Sequence, residues 1–217
     1  MNLAKLSTPS RLMLGASVIF GFVYLLTDFG LTFDFPLSAA VKAMGIILLA
    51  GIALREKAPI LAMALLASAV GDIMLAWQPR QMVFGIAAFG VVHLVYIGIF
   101  AGRVKSAGLR GLPGWIGAGL IAIFGAAMLT WLYPGMGELT VPATIYNGII
   151  LVMAVLAAIS RAPFLALAGA LLFVLSDSFI GAREFQNAFM WSGPVIWATY
   201  YIGQLFLTLG LLMRDPA

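Results

Sequence analysis

The feature that most constrains this chain is its near-continuous hydrophobicity, which only short polar segments interrupt. Of its 217 residues, 63% are hydrophobic and 9% are charged, whereas soluble domains contain about 25% charged residues. A helix needs about 20 apolar residues to cross the hydrocarbon core of a bilayer. The sequence lacks the strands of alternating polarity that a transmembrane barrel requires. It therefore predicts an all-α polytopic membrane protein.

Eight apolar stretches are long enough to be transmembrane helices. Short segments rich in Gly, Pro and charged residues separate them, such as REKAP after the second stretch and SRAP after the sixth. No segment between them is long enough for a soluble domain, so we predict a single transmembrane domain over residues 1–217. The predicted helices are 12–27, 36–54, 59–77, 81–101, 114–132, 141–159, 164–181 and 191–212.

Basic residues are distributed unevenly over the segments that join these helices. With a cytoplasmic N-terminus, only Arg80 and Arg183 lie outside, and Lys42 lies within the second helix. The other nine basic residues are then cytoplasmic: Lys5, Arg11, Arg55, Lys57, Arg103, Lys105, Arg110, Arg161 and Arg214. Because Lys and Arg are enriched in cytoplasmic loops, we predict that both termini are cytoplasmic, in the inner membrane of a bacterium. A net charge of +4 spread over short loops predicts no nucleic-acid partner.

The two halves of the sequence are weakly similar to each other. A shift of 105 residues aligns Asp72 with Asp177, YIG at 96–98 with YIG at 201–203, and Lys42 with Asn147. Both halves begin on the same side of the membrane, so the repeat is parallel rather than inverted. We therefore predict two parallel four-helix repeats, of about residues 1–107 and 108–217.

Ionisable side chains lie inside the predicted helices. Each costs roughly 2.5–3.5 kcal/mol at the bilayer centre on insertion scales, so each needs a partner or a function. They are Lys42, Asp72, His93 and Asp177, with hydrogen-bonding groups added by Tyr96, Tyr146, Asn147, Tyr200, Tyr201 and Gln204. The predicted orientation places this set in the outer half of the bilayer, where one cavity open to the outside would hold it.

Each of these residues also has a purely structural explanation. Either Asp would extend to the membrane surface or pair with Arg80 or Arg183. Lys42 would only neutralise an Asp, and His93 would be a core histidine with its hydrogen bonds satisfied. Two matched acids together with a Lys, a His and a Gln on separate helices favour a functional site over these explanations.

Two carboxylates in a low-dielectric pocket would provide an acid and a base. One stays protonated while the other is ionised beside Lys42, which suits a reaction that protonates a substrate and activates a water. One His and no Cys are too few ligands for a catalytic zinc site, and no phosphate-loop or dinucleotide motif is present. We therefore predict no metal and no other cofactor. A triad of His93 with Ser38 or Ser176 lacks the G-x-S-x-G context.

Five short polar motifs follow one another along the predicted helices. They are a Lys in the second helix (Lys42), GD-x-x-L at the end of the third (Gly71, Asp72, Leu75), H-x-x-Y in the fourth (His93, Tyr96), SD in the seventh (Ser176, Asp177) and Y-x-x-Q in the eighth (Tyr201, Gln204). Their order and placement resemble those of the lysoplasmalogenase, or YhhN-like, family over essentially the whole chain. One departure is Ile180, near which the family pattern has a Leu.

The resemblance implies hydrolysis of the vinyl ether bond of a lysophospholipid, a lysoplasmalogen, to a fatty aldehyde and glycerophosphoethanolamine or glycerophosphocholine. We hypothesise that Asp72 and Asp177 are the catalytic residues, without deciding which is the acid. The residues predicted to bind the substrate are Lys42, His93, Tyr96, Asn147, Tyr201 and Gln204. Lys42 would bind the substrate phosphate or keep one Asp ionised. Head-group preference and oligomeric state are left open.

The competing hypothesis is a proton-coupled transporter of small solutes or lipids. A parallel repeat and paired acids would also serve such a carrier, but the third and seventh helices contain no internal Pro to break them. A passive lipid-binding protein would leave Lys42 and both acids without a purpose.

Overall fold

The computed structural model describes residues 6–213 of the chain. In this range, eight helices are long and apolar enough to cross a membrane, as the sequence predicts. They are α1 (Thr8–Leu25), α2 (Leu37–Arg55), α3 (Pro59–Ala76), α4 (Met82–Ala107), α5 (Leu112–Leu132), α6 (Thr140–Ile159), α7 (Phe164–Gln186) and α8 (Gly193–Leu211). The described residues contain no β-strand, so the all-α membrane fold is confirmed. Lys5 and Arg214, which contribute to the predicted orientation, lie outside this range.

Two helices extend well beyond the C-terminal ends that the sequence predicts. Helix α4 continues through residues 102–107 and α7 through residues 182–186, so the prediction of loops there was wrong. These residues include Arg, Lys, Glu and Gln, which favour helix but lower the hydropathy. The helices end only where the backbone becomes left-handed, at Gly108 (φ +81°) and Asn187 (φ +50°). Hydropathy thus marks the edge of the hydrocarbon region and not the end of the helix.

The chain forms two compact units. The first contains α1, α2, α3 and the part of α4 that ends at Val95, and it also takes in Leu211; the second is Tyr96–Gly210. In the first unit, α1 packs on α2 and α2 packs on α3. In the second unit, α5 packs on α6 and α7, and α6 packs on α7.

Helix α1 contacts α2 through small side chains. The Ser17 hydroxyl donates a hydrogen bond of 2.7 Å to the carbonyl of Gly45. Ser10 forms a second hydrogen bond at one end of this contact, where its hydroxyl donates to the Glu56 carboxylate at 2.7 Å. Small residues let two transmembrane helices approach closely, and a hydroxyl that meets a backbone carbonyl adds a hydrogen bond. The contact fixes the position of α2, which carries Lys42.

In the second unit, the segment after α4 is bound to the segment after α6. The Arg110 guanidinium donates to the carbonyls of Ala158 at 3.1 Å and Ala162 at 2.6 Å. Arg161 donates in return to the carbonyl of Leu109 at 2.9 Å. A cation beside the last carbonyls of α6 is also favoured by the helix dipole. These reciprocal bonds fix the end of α6 and the beginning of α7, the two helices that carry the polar groups described below.

Helices α7 and α8 approach each other closely at glycines. A Cβ atom at Gly169 would lie 2.6 Å from the carbonyl oxygen of Gly203, and one at Gly203 would lie 3.1 Å from the carbonyl oxygen of Gly169. A Cβ at Gly210 would lie 2.5 Å from the backbone nitrogen of Ala166. A Cβ does not fit at Gly169 or Gly210, and at Gly203 the neighbouring backbone would have to shift, so the α7–α8 contact depends on the absence of a Cβ at these positions.

Candidate active site

The acid of the first unit is paired with a cation on the neighbouring helix. Asp72 lies in the second half of α3 and its side chain is only 2% exposed. The Lys42 ammonium, from α2, lies 3.4 Å from Asp72 Oδ1, and the Lys42 side chain is 15% exposed. Burying a carboxylate is costly unless an opposite charge accompanies it. The ion pair therefore explains how α3 accommodates an acid within an apolar stretch.

Aromatic and small residues hold this pair in place. The Lys42 ammonium lies 5.8 Å from the centroid of the Tyr24 ring, within the range of a cation–π interaction. A Cβ at Gly71 would lie 2.7 Å from Cε2 of Phe89 on α4. The Gly of the GD motif therefore lets α3 pack on α4 beside Asp72. Sequence reasoning missed Tyr24, because a Tyr near a helix end is ordinary at a membrane interface.

The acid of the second unit is bonded to a tyrosine on the neighbouring helix. The Tyr146 hydroxyl, from α6, donates to Asp177 Oδ2 on α7, and both side chains are partly buried. The 105-residue shift pointed to Asn147, which the structure leaves half-buried next to Tyr146. The sequence marks Tyr146 only as one of several hydrogen-bonding groups. Tyr146 and Asn147 are adjacent on α6, and a single sequence does not show which of the two contacts Asp177.

The two units use the same local arrangement around their acids. In the first, a residue of α2 contacts the acid of α3; in the second, a residue of α6 contacts the acid of α7. The partner is a Lys in one unit and a Tyr in the other. Such an arrangement is what the predicted parallel repeat would produce, although the repeat itself stays a prediction.

The serines beside Asp177 bond to the backbone. The Ser176 hydroxyl donates to the carbonyl of Ile196 on α8 at 2.9 Å. The Ser178 hydroxyl donates to the carbonyl of Val174, one turn earlier on α7, at 2.8 Å. Ser176 therefore joins α7 to α8, and its hydroxyl proton is engaged in this hydrogen bond. This bond speaks against Ser176 as the nucleophile of a Ser-His-Asp triad.

Two of the predicted substrate-binding residues are bonded to each other. The Tyr96 hydroxyl, on α4, donates to Gln204 Oε1 on α8 at 2.9 Å, and both side chains are fully buried. Tyr201, one turn before Gln204, is buried and stacks on Trp197 with 5.9 Å between ring centroids. These residues form a polar and aromatic link between the second part of α4 and α8. His93 lies in the first unit and is also fully buried.

Comparison with known proteins identifies the family. Residues 37–211 match the YhhN family. The chain belongs to the YhhN family. It is similar to the lysoplasmalogenase of Mycobacterium bovis, with 34% identity over 80% of this chain and 70% of that protein. It is also similar to lysoplasmalogenase TMEM86B of Homo sapiens, with 32% identity over 82% of this chain and 76% of that protein. No solved structure matches the chain.

The YhhN match runs from the first residue of α2 to the last residue of α8. Both acids and their partners, Lys42 and Tyr146, lie inside it, whereas Tyr24 on α1 lies outside it. The resemblance inferred from five short motifs is therefore confirmed by similarity over most of the chain.

Proposed function

We propose that this protein is a membrane hydrolase that cleaves the vinyl ether bond of lysoplasmalogens. The observation that carries the proposal is similarity, over four fifths of the chain, to proteins named lysoplasmalogenase from a bacterium and a mammal. The same observation favours a hydrolase over the transporter hypothesis. The products would be a fatty aldehyde and glycerophosphoethanolamine or glycerophosphocholine.

The proposed reaction begins with transfer of a proton to the β carbon of the vinyl ether. The resulting oxocarbenium ion is captured by a water, which loses its proton to a base as the new C–O bond forms. The hemiacetal then breaks at its bond to the glycerol oxygen. This oxygen leaves as a hydroxyl, the chain leaves as an aldehyde, and one water is consumed. An acid and a base suffice for every step.

We propose Asp72 and Asp177 as this acid and base. Ionisable residues in transmembrane helices generally mark functional sites, and each acid has a polar partner on the neighbouring helix. A carboxylate in a site of low dielectric also stabilises a developing cation far better than it does in water. The Lys42 ammonium lies within ion-pair distance of Asp72, which supports a role in keeping that acid ionised rather than in binding phosphate.

The remaining residues are proposed to bind and orient the substrate. His93, Asn147 and Tyr201 offer hydrogen-bonding groups, and the bonded pair of Tyr96 and Gln204 would act as one fixed unit. We further propose that the termini are cytoplasmic, that the membrane is the inner membrane of a bacterium, and that these groups lie in its outer half. The uneven distribution of basic residues over the connecting segments supports this orientation.

The test uses purified protein in detergent and two lysolipids that differ only in the bond at the first glycerol carbon. We expect aldehyde from the vinyl ether and none from the saturated alkyl ether, which cannot be protonated at carbon. In D2O, each aldehyde should carry one deuterium on the carbon next to its carbonyl. A transporter would release no aldehyde, because detergent provides no second compartment. Cleavage of the alkyl ether would contradict protonation at carbon.

A further inference from the structure

Three apolar side chains are exposed together in the turn of residues 187–192, which joins α7 to α8. Phe189, Met190 and Trp191 are 43%, 68% and 70% exposed. In water, so much adjoining apolar surface would be unfavourable. We infer that this turn is an interfacial anchor: it lies at the boundary of lipid headgroups and hydrocarbon, and it holds Asp177 at the depth of the lysolipid bond that is cleaved. The second part of the inference rests on the proposed function.

The turn folds back towards the membrane. Helix α7 continues to Gln186, about 10 Å along its axis beyond Phe179. The chain then passes through left-handed backbone at Asn187 (φ +50°) and Phe189 (φ +53°). The Phe189 ring packs edge-to-face on the Phe179 ring, with 5.8 Å between centroids. The turn therefore returns to the level of Phe179, close to residue 181, where hydropathy places the edge of the hydrocarbon region.

A row of aromatic rings fixes the turn at this level. Phe189 lies between Phe179 and Trp191, with centroid distances of 5.8 and 5.9 Å, and both contacts are edge-to-face. Such contacts are stabilising beyond the area that they bury. Left-handed backbone is unusual for a bulky residue and persists where the surrounding contacts require it. The row therefore keeps Trp191 near the level of Phe179, although most of its ring is exposed.

The end of the neighbouring helix also has exposed aromatic side chains. The Gln186 amide donates to the carbonyl of Trp131 at the end of α5, at 2.7 Å. Trp131 is exposed, as is Tyr133 just after α5. Trp and Tyr are enriched where headgroups meet hydrocarbon, a layer roughly 5–8 Å thick on each side of the bilayer. The polar end of α7 thus lies among headgroups, and the turn that follows it reaches the hydrocarbon edge.

This anchor determines the depth of the proposed catalytic acid. Asp177 precedes Phe179 by two residues on α7, which is about 3 Å along the helix axis. In a lysolipid that lies in the leaflet, the vinyl ether joins the glycerol to the apolar chain, so it occupies the same boundary. An acid held at this depth meets the bond without lifting the chain out of the lipid. Fixed placement of a reacting group is a large part of catalysis.

A fluorescent probe tests the position of the turn. Because the sequence has no cysteine, an NBD probe can be attached to Met190→Cys or, as the matched control, to Glu138→Cys at an exposed position between α5 and α6. The full-length protein is placed in phosphatidylcholine nanodiscs, which expose both faces. We expect the probe at position 190 to be quenched by lipids spin-labelled near the headgroup and protected from dithionite, and the probe at position 138 to react with dithionite. Equal reaction of both probes, without quenching by lipid, would overturn the inference.

Activity tests the effect of the anchor on the reaction. Met190→Ser combined with Trp191→Ser removes its most exposed apolar surface. In nanodiscs, we expect this double variant to release aldehyde at least about 10-fold more slowly, since misplacing a reacting group by about 1 Å can cost about 100-fold. In detergent, where the micelle adapts to the protein, its rate should match that of the unmodified protein. Met190→Leu combined with Trp191→Phe stays apolar and should retain the rate in both.

The outcomes separate the inference from the proposed function. Lipid quenching at position 190 without aldehyde release from the unmodified protein contradicts the proposed reaction but supports the anchor. Unchanged release by the serine variant in nanodiscs refutes the role of the turn in placing Asp177. An equal loss in nanodiscs and in detergent also refutes that role, because it indicates a defect in the fold rather than in depth.

Discussion

At the scale of residues, the two acids are the points on which the proposed chemistry depends. Each meets a polar side chain from the preceding helix, Lys42 for Asp72 and Tyr146 for Asp177. An acid buried only for packing would be a net cost to insertion, since each such residue is unfavourable in hydrocarbon by roughly 2.5–3.5 kcal/mol. Retaining two of them is explained by a function that uses both.

The first prediction concerns these two acids. Asp72→Asn and Asp177→Asn should each lower aldehyde release by at least about 100-fold, because general acid–base groups contribute about 10² to 10⁴. Both substitutions preserve side-chain size, but Asp72→Asn leaves the Lys42 ammonium without its counter-charge, so the folding of each variant is checked by size-exclusion chromatography in detergent. The measurement is the initial rate with the vinyl ether lysolipid. Asp34→Asn, which changes an exposed acid before α2, is the control and should retain its rate, and full activity in either site variant would refute the assignment.

The sequence predicts the acids but not all of their surroundings. Asp72, Asp177 and Lys42 are visible because a charge within an apolar stretch is unusual. Tyr24 and Tyr146 are not, because tyrosines are common in membrane helices and only the rotation of each helix determines which ones meet an acid. That rotation results from packing between helices, such as the small-residue contact of α1 with α2, and a single sequence does not specify it.

At the scale of elements, the second unit depends on close contact between α7 and α8. Hydropathy predicts both helices, since each has enough apolar residues to span the membrane. It does not predict the C-terminal end of α7, because the polar residues of 182–186 continue that helix by helical propensity alone. Nor does it show which glycines permit close packing, because the chain has 24 of them.

The second prediction separates a packing glycine from an exposed one. Gly169→Ala places a Cβ against a backbone carbonyl on α8 and should destabilise the fold by about 1–3 kcal/mol, the usual cost of overpacking. Gly119→Ala on α5 meets no atom within 4 Å and should be neutral or stabilising by up to about 1 kcal/mol. The measurement is the midpoint of thermal unfolding in detergent. Equal midpoints for the two variants would contradict the importance of this contact.

At the scale of the whole molecule, the orientation in the membrane is predicted by charge. Nine of the twelve basic residues lie on one side in the predicted topology, and this bias generally determines which loops stay in the cytoplasm. Orientation is a property of insertion, so atomic contacts within the protein do not reveal it. A chemical label provides the direct measurement.

The third prediction uses the absence of cysteine from the sequence. A single cysteine can therefore be introduced without removing any other. Thr32→Cys, in an exposed position between α1 and α2, should react with a membrane-impermeant maleimide in spheroplasts. Ser106→Cys, in an exposed position near the end of α4, should react only after the membrane is permeabilised. The opposite pattern would invert the topology and move the proposed site to the cytoplasmic half of the membrane.

The glycine contact between α7 and α8 also bears on how a lipid would reach Asp177. Where Gly169 and Gly203 bring two backbones together, the gap is too narrow for a hydrocarbon chain. A lysolipid that diffuses laterally from the surrounding leaflet would therefore find no entrance at this contact. We expect the tail of the proposed substrate to pass between other helices instead.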